Sequence, residues 1–310
     1  MKEALQVEPL KMNPLRKESG MKKKLTRFDL QQMKEKGEKA VWMTAYDFTT
    51  AQLAEKAGMD MLLVGDSLGM AVYGYPGTIP VTIEQSLYHT EAVRRGAPNT
   101  FVIGDMPFGS YHGSVKDAVR NAVRYYKTCN VDCIKLEGGK RAAHIIQAIA
   151  DNGMLVMGHV GLTPQSTAAL GGFKAQGRTA ESAQVIIEDA QAVYEAGAFA
   201  MLVEAVPPEV TRMISQELPI PIYGIGAGAD CDGQVMIVSD ILGIFQAFTP
   251  KFVKKYANLG AEMLKVFEAY IKDVRTGAFP AAEHTYGMIE GELDRLKRLR
   301  QKQTKKARKS

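Results

Sequence analysis

The sequence predicts an α/β chain, a (β/α)8 TIM barrel with an extra N-terminal helix, and three observations carry that expectation. From residue 41 onward, short apolar runs alternate with longer helical patterns. Near-continuous apolar strands separated by helices are the pattern of a parallel sheet covered on both faces. Eight such runs fall within about 250 residues, the usual size of this barrel. Five consecutive runs also finish on an acid or a histidine, which a barrel would gather at one mouth.

The elements follow in order. "LTRFDLQQMKEKGEKA" (25–40) reads as the extra helix before the first strand. Strands are expected at 41–46, 61–65, 100–104, 133–136, 154–158, 198–203, 221–225 and 234–242. Helices are expected near 49–58, 82–95, 114–128, 140–150, 179–196, 207–217 and 257–275. In "SVKDAVRNAVRYYKT", Val115, Ala118, Val119, Ala122, Val123 and Tyr126 recur with helical period, and Ser114 is a suitable N-cap. A doubly wound open sheet shares this local pattern and is the main competing architecture. No linker rich in Gly, Pro or Ser divides the body, so one catalytic domain is expected over 25–285. It lies between a basic, disordered extension at 1–24 and a basic tail at 286–310.

Composition narrows the class. The chain has 310 residues, 46% hydrophobic and 24% charged, which is ordinary for a soluble globular protein. No apolar run reaches the roughly 18 residues of a membrane span, and the N-terminus has no apolar signal core. Cys129, Cys133 and Cys231 are scattered without a CxxC, which points to a reducing compartment, and a cytoplasmic location is expected. The net charge of +5 is uneven: residues 1–24 carry +4 and residues 294–310 carry +8, leaving −7 for 25–293. A basic tail can bind nucleic acid or stay solvated. This one has no aromatic residue to stack bases, so no nucleic-acid partner is expected.

The candidate site lies in the strand ends. "MLLVGDS" (61–67) leads to Asp66, "TFVIGD" (100–105) to Asp105, "CIKLE" (133–137) to Glu137, "MLVMGH" (154–159) to His159 and "AMLVE" (200–204) to Glu204. Two carboxylates aimed at one spot repel unless something positive lies between them. A hard divalent cation such as Mg²⁺ suits oxygen ligands. The alternative for Asp66 and Asp105 is a pair of helix N-caps. Lys135 and Glu137, two apart on one strand, share a face opposite Ile134 and Leu136. They could orient an anionic substrate or form a structural ion pair. Glu204 sits among apolar neighbours, a setting that favours a base near neutral pH. His159 could be a base, a donor or a satisfied strand-end histidine. "YGIGAG" (223–228) fits a dinucleotide fingerprint weakly, or marks close backbone packing.

Longer stretches carry a resemblance. "MTAYDFTTAQ" (43–52), "LLVGDSLGM" (62–70), "TFVIGDMPFGSY" (100–111), "IKLEGG" (134–139), "GHVGLTPQ" (158–165), "EAVP" (204–207) and "IGAGADCDGQVMIVSDILGI" (225–244) occur in order. Over roughly residues 25–280 the chain resembles the ketopantoate hydroxymethyltransferase family of pantothenate biosynthesis. The resemblance implies a (β/α)8 barrel with one Mg²⁺ per subunit that assembles as a homo-oligomer, commonly a homodecamer. It implies conversion of 3-methyl-2-oxobutanoate and 5,10-methylenetetrahydrofolate, with water, to 2-dehydropantoate and tetrahydrofolate. Asp66 and Asp105 would be metal ligands, and Glu137 an outer ligand acting through water. Asp66, Ser67, Asp105 and Lys135 would contact the keto acid, with His159 in the same pocket. Glu204 would be the general base. Three rival readings share parts of this pattern: a Mg²⁺ barrel enzyme of the phosphoenolpyruvate mutase and isocitrate lyase type, a nicotinamide-dependent dehydrogenase, and a nucleic-acid-binding protein acting through its tail. The first commonly carries a cysteine in a Gly-rich loop, and "LGGFKAQG" (170–177) has none.

Overall fold

A computed structural model describes residues 23–307. The expected extension at 1–24 therefore lies almost wholly outside the described residues. The chain divides into two compact units between Tyr256 and Ala257, whereas the sequence reading runs one domain on to 285.

In the first unit eight strands close into a barrel: β1 (Ala40–Thr44), β2 (Met61–Val64), β3 (Phe101–Asp105), β4 (Cys133–Glu137), β5 (Val156–Gly161), β6 (Ala200–Glu204), β7 (Ile222–Ile225) and β8 (Gly233–Met236). Every neighbouring pair is parallel, and β1 meets β8 through Ala40↔Gly233 and Trp42↔Val235. That closure rules out the open-sheet alternative. The expected strands agree with the observed ones to within a few residues, with two corrections. The last strand was expected to run to 242 but stops at Met236. There the Val238 amide donates to Thr44 Oγ1 at 3.0 Å, and the chain turns into the short helix Val238–Ile241. The fifth strand runs on to Gly161, so His159 lies inside it rather than just past its end. Pairing on both flanks extends it, through Glu137↔His159 and Gly161↔Glu204.

Alternation along the strands separates two cores. Met43, Leu62, Val64, Val102, Ile134, Leu136, Met201 and Val203 pack with helix residues outside the barrel. Trp42, Met61, Leu63, Phe101, Ile103, Cys133, Met157, Leu202, Tyr223 and Val235 form the interior cluster. The extra helix, Arg27–Lys36, is fixed at one end by a Thr26–Asp29 capping box and at the other by Gly37 in a left-handed conformation. It sends Leu30 into the interior cluster, and its Lys34 Nζ lies 2.9 Å from Asp232, the residue before β8. It therefore stoppers the N-terminal end of the barrel and leaves the other end free.

The second unit contains the helices Leu259–Thr276 and Glu292–Ala307. No residue of the first is buried, and it exposes Met263, Phe267, Tyr270, Ile271 and Val274.

One glycine ties the outer core to the mouth. A Cβ on Gly104 would stand 2.5 Å from the Tyr125 ring. The Tyr125 hydroxyl donates to the Asp105 carbonyl at 2.6 Å. Gly104→Ala is therefore expected to lower unfolding free energy by about 1–3 kcal/mol, as overpacking does. Urea denaturation checks this, and an unchanged midpoint would refute it.

Candidate active site

The inward parity of the barrel carries through to its open end. On β3, Ile103 is followed inward by Asp105; on β4, Cys133 by Lys135 and Glu137; on β5, Met157 by His159; on β6, Leu202 by Glu204. Asp66 has the wrong parity for a strand residue. It reaches the same place because β2 ends at Val64 and the chain turns. Its amide then donates to Asp105 Oδ2 at 3.0 Å. Ser67, next along, shares a 2.8 Å hydrogen bond with the Tyr46 hydroxyl. All seven sequence candidates thus meet at one mouth.

The groups form a continuous polar cluster. Lys135 Nζ lies 2.8 Å from Asp105 Oδ1, 3.7 Å from Glu137 Oε1 and 3.4 Å from His159 Nδ1. His159 Nδ1 is 3.5 Å from Glu137 Oε1, and Nε2 is 3.2 Å from Glu204 Oε2. Asp105 Oδ1, Glu137 Oε1 and His159 Nε2 are sealed from solvent, so their facing charged neighbours in the cluster are their surroundings. Asp66, Asp105, Lys135, Glu137 and His159 are all buried, while Glu204 is partly open. Glu204 is therefore not in the purely apolar setting that its sequence neighbours suggested; it faces an imidazole.

Charge does not balance here. Four carboxylates face one lysine and one histidine. Burial, then the charges of Asp105 and Glu137, push Asp66 well above the ordinary carboxylate range, against Lys135 and Gln165. Burial raises Asp105 too, with Lys135 opposing. Burial also acts against Glu137, but the hydrogen bonds and charges of His159 and Lys135 win and lower it. Burial disfavours charged Lys135, yet Asp105, Glu137 and Asp66 hold it protonated. Burial and Lys135 oppose charging His159, but Glu137 and Glu204 raise it to about 9.

Such a site suits a hard cation. Neither aspartate is a cap: Ser67 precedes the short helix Leu68–Ala71 without any side-chain cap, and Asp105 accepts from Asp66 instead. Among the described residues, no three His, Cys, Asp or Glu side chains already stand as a ligand cluster. Asp66 and Asp105 would supply two oxygens and leave the other positions to water and ligand. Mg²⁺ is commonly held that way.

Sequence reasoning missed the residue that locks this cluster. Gln165, buried in "GLTPQ", donates from Nε2 to Asp66 Oδ2 at 2.9 Å and to the Met106 carbonyl at 3.0 Å. Its amide donates to Glu137 Oε2 at 2.9 Å, and its Oε1 accepts from the Tyr111 hydroxyl at 2.7 Å. One residue thus orients two acids, Asp66 through its side chain and Glu137 through its backbone amide. Its only sequence signal is a polar residue soon after a strand end.

The cluster forms one end of a cavity of about 430 Å³. The rest is mostly apolar and includes Phe173, Phe245, Phe248 and Phe252. "YGIGAG" is not a phosphate cradle. A Cβ on Gly226 would meet the Phe252 ring at 2.6 Å, and one on Gly228 would meet Pro208 at 2.7 Å. These glycines, both at positive φ, admit packed side chains.

Comparison with known proteins gives the family and the fold. The family profile described as ketopantoate hydroxymethyltransferase matches residues 24–282. A protein of Alkaliphilus metalliredigens named 3-methyl-2-oxobutanoate hydroxymethyltransferase is 60% identical over 270 residues, covering 87% of this chain and 95% of its own. A Moorella thermoacetica protein of the same name is 51% identical, covering 83% and 96%. Among solved structures, phosphoenolpyruvate phosphomutase from Streptomyces platensis superposes with TM-score 0.56 at 17% identity, covering 92% and 99%. A phosphonopyruvate hydrolase solved with oxalate and Mg²⁺ superposes at 0.54 and 17%, covering 89% and 97%. These two likenesses are of fold.

Two outcomes are expected. Gln165→Leu should weaken Mg²⁺ binding by about 10–100-fold, the usual effect of removing a group that orients a ligand. Calorimetry checks this, and an unchanged affinity would contradict it. In chelated protein, the stability from charged His159 is fully present below about pH 6.5, its unfolded value. It should be lost as pH rises through about 9. Thermal melts of wild type and His159→Gln should converge across that window, and a constant gap would contradict the assignment.

Proposed function

The chain belongs to the ketopantoate hydroxymethyltransferase family, and from that premise we propose that its barrel mouth moves a one-carbon unit from 5,10-methylenetetrahydrofolate to 3-methyl-2-oxobutanoate. With water, the products are 2-dehydropantoate, the coenzyme A precursor intermediate, and tetrahydrofolate. The observation that carries this reading is the excess of buried carboxylate around a single lysine, beside a base that opens on the cavity.

The substrate's C3–H, next to a ketone, is a very weak acid. Held by Asp66 and Asp105, with Glu137 acting through water, Mg²⁺ would supply Lewis acidity worth several kcal/mol toward an enolate. Lys135 and Ser67 would hold the keto acid's oxygens. Lys135 stays charged in this role because Asp105 and Glu137 surround it. Glu204 would take the C3 proton, a contribution of about 10²–10⁴-fold for a placed general base. His159, 3.2 Å from it, would orient that carboxylate. The enolate carbon then forms its bond to the folate-borne carbon as one of that carbon's two C–N bonds breaks, and water replaces the second nitrogen, completing the hydroxymethyl group and releasing tetrahydrofolate.

The exposed apolar stripe on the helix Leu259–Thr276 supports assembly as a homo-oligomer, with a decamer as the family-based expectation. No described helix is long and apolar enough to cross a membrane. A cytoplasmic location is the reading that suits a soluble folate and a keto acid.

Turnover should require methylenetetrahydrofolate and stop in EDTA; full activity in EDTA would refute the cation's role. Glu204→Gln should fold but slow exchange of the substrate C3 hydrogen into D₂O by 10²-fold or more. Unchanged exchange would move the base elsewhere.

A further inference from the structure

The cavity has a second carboxylate site, on the side remote in sequence from the acid cluster. Asp240 follows β8 in the short helix Val238–Ile241 and lines the same cavity. It is only 8% exposed. Its carboxylate has no hydrogen-bond or ion-pair partner among the described residues. Its backbone is held firmly: the amide donates to the Ile237 carbonyl at 3.1 Å, and the carbonyl accepts from Gly243 at 3.0 Å. The adjacent Ser239 Oγ is also buried and without a partner, and it faces the cavity too. The Asp240 carboxylate opens on the cavity, so its donors must come from water or from a ligand held there. Burial pushes the Asp240 carboxyl up, with only the charge of exposed Lys255 opposing.

The remaining walls say what those donors belong to. A five-carbon keto acid at the Asp66–Lys135 end would leave most of the 430 Å³ unfilled. Phe245, Phe252, Ile237 and Pro250 bound that remaining space near Asp240. Flat apolar walls with one carboxylate fit a planar heterocycle that presents a pair of parallel N–H donors. The 2-amino-4-oxopyrimidine edge of a reduced pteridine has that donor pair, in its 2-amino group and its N3–H. A carboxylate accepts both at once through its two oxygens.

We propose that Asp240 anchors the pteridine of the folate donor by accepting from its 2-amino and N3–H groups, with Ser239 beside it, so that the one-carbon unit points at the keto-acid end. This inference rests on the folate-dependent reading above. The sequence pattern puts Asp240 inside the expected last strand, 234–242, where nothing marks it as a site residue.

The test compares wild type with Asp240→Asn, using 5,10-methylenetetrahydrofolate and its 2-desamino analogue. For wild type, losing the 2-amino group should raise KM by about 10-fold or more, since an unpaired buried carboxylate is left behind. Asp240→Asn should raise KM for the natural donor by a similar factor and reduce discrimination between the two donors to within about twofold. Exchange of the keto acid's C3 hydrogen into D₂O, a half-reaction that needs no folate, reports whether the variant's other half of the site is intact. Retained discrimination in Asp240→Asn, or loss of that exchange, would overturn the assignment. If wild type shows no folate-dependent turnover at all, the parent reading falls instead. If wild type turns over and the variant keeps its folate KM, only the role of Asp240 falls.

Discussion

Four carboxylates share a mouth with one lysine and one histidine, and the arrangement of the site follows from that imbalance. Asp66 is raised well above an ordinary carboxylate because burial and two neighbouring acids all act against its charge. Such a cluster would relax if its acids could swing to water. They cannot, because each is tethered by backbone or by a neighbour. Asp105 takes the Asp66 amide, Glu137 takes the Gln165 amide, and Gln165 grips Asp66 from the other side. Repulsion is thus stored in a fixed geometry, and a small divalent ion is the simplest means of relieving it.

Closure of the barrel makes that geometry possible. Strand parity alone puts Asp105, Lys135, Glu137, His159 and Glu204 inside, and parallel pairing sets Asp105 beside Lys135 and Glu137 beside His159. The extra helix fills the opposite end with Leu30, so the polar end is the one left for ligands. The outer core reaches the site as well, since Tyr125 packs where Gly104 leaves room and its hydroxyl holds the Asp105 carbonyl.

Much of this was legible in the sequence, for a physical reason. A strand buried on both faces has no cause to end on an acid, so Asp105, Glu137 and Glu204 stood out at once. Lys135 was legible because strand period 2 puts it on the face of Glu137. His159 was placed one step too far along, because a strand's end depends on its neighbours' pairing rather than on its own composition. Gln165 and Asp240 were not legible as site residues. Their importance comes from what lies across space, Asp66 for one and an open apolar wall for the other, and neither separation leaves a periodic trace. The end of β8 was also invisible, because "VMIV" (235–238) stays apolar across the point where the Val238 amide turns to Thr44.

The central claim is that Asp66 and Asp105 share one divalent ion at the mouth. Crystals grown with Mn²⁺ and the keto acid test it most directly, through the anomalous difference map. The account predicts a single strong peak within about 2.0–2.2 Å of a carboxylate oxygen from each aspartate, a spacing typical of small hard ions. A well-ordered mouth with no peak there, or a peak held by other residues, would contradict it.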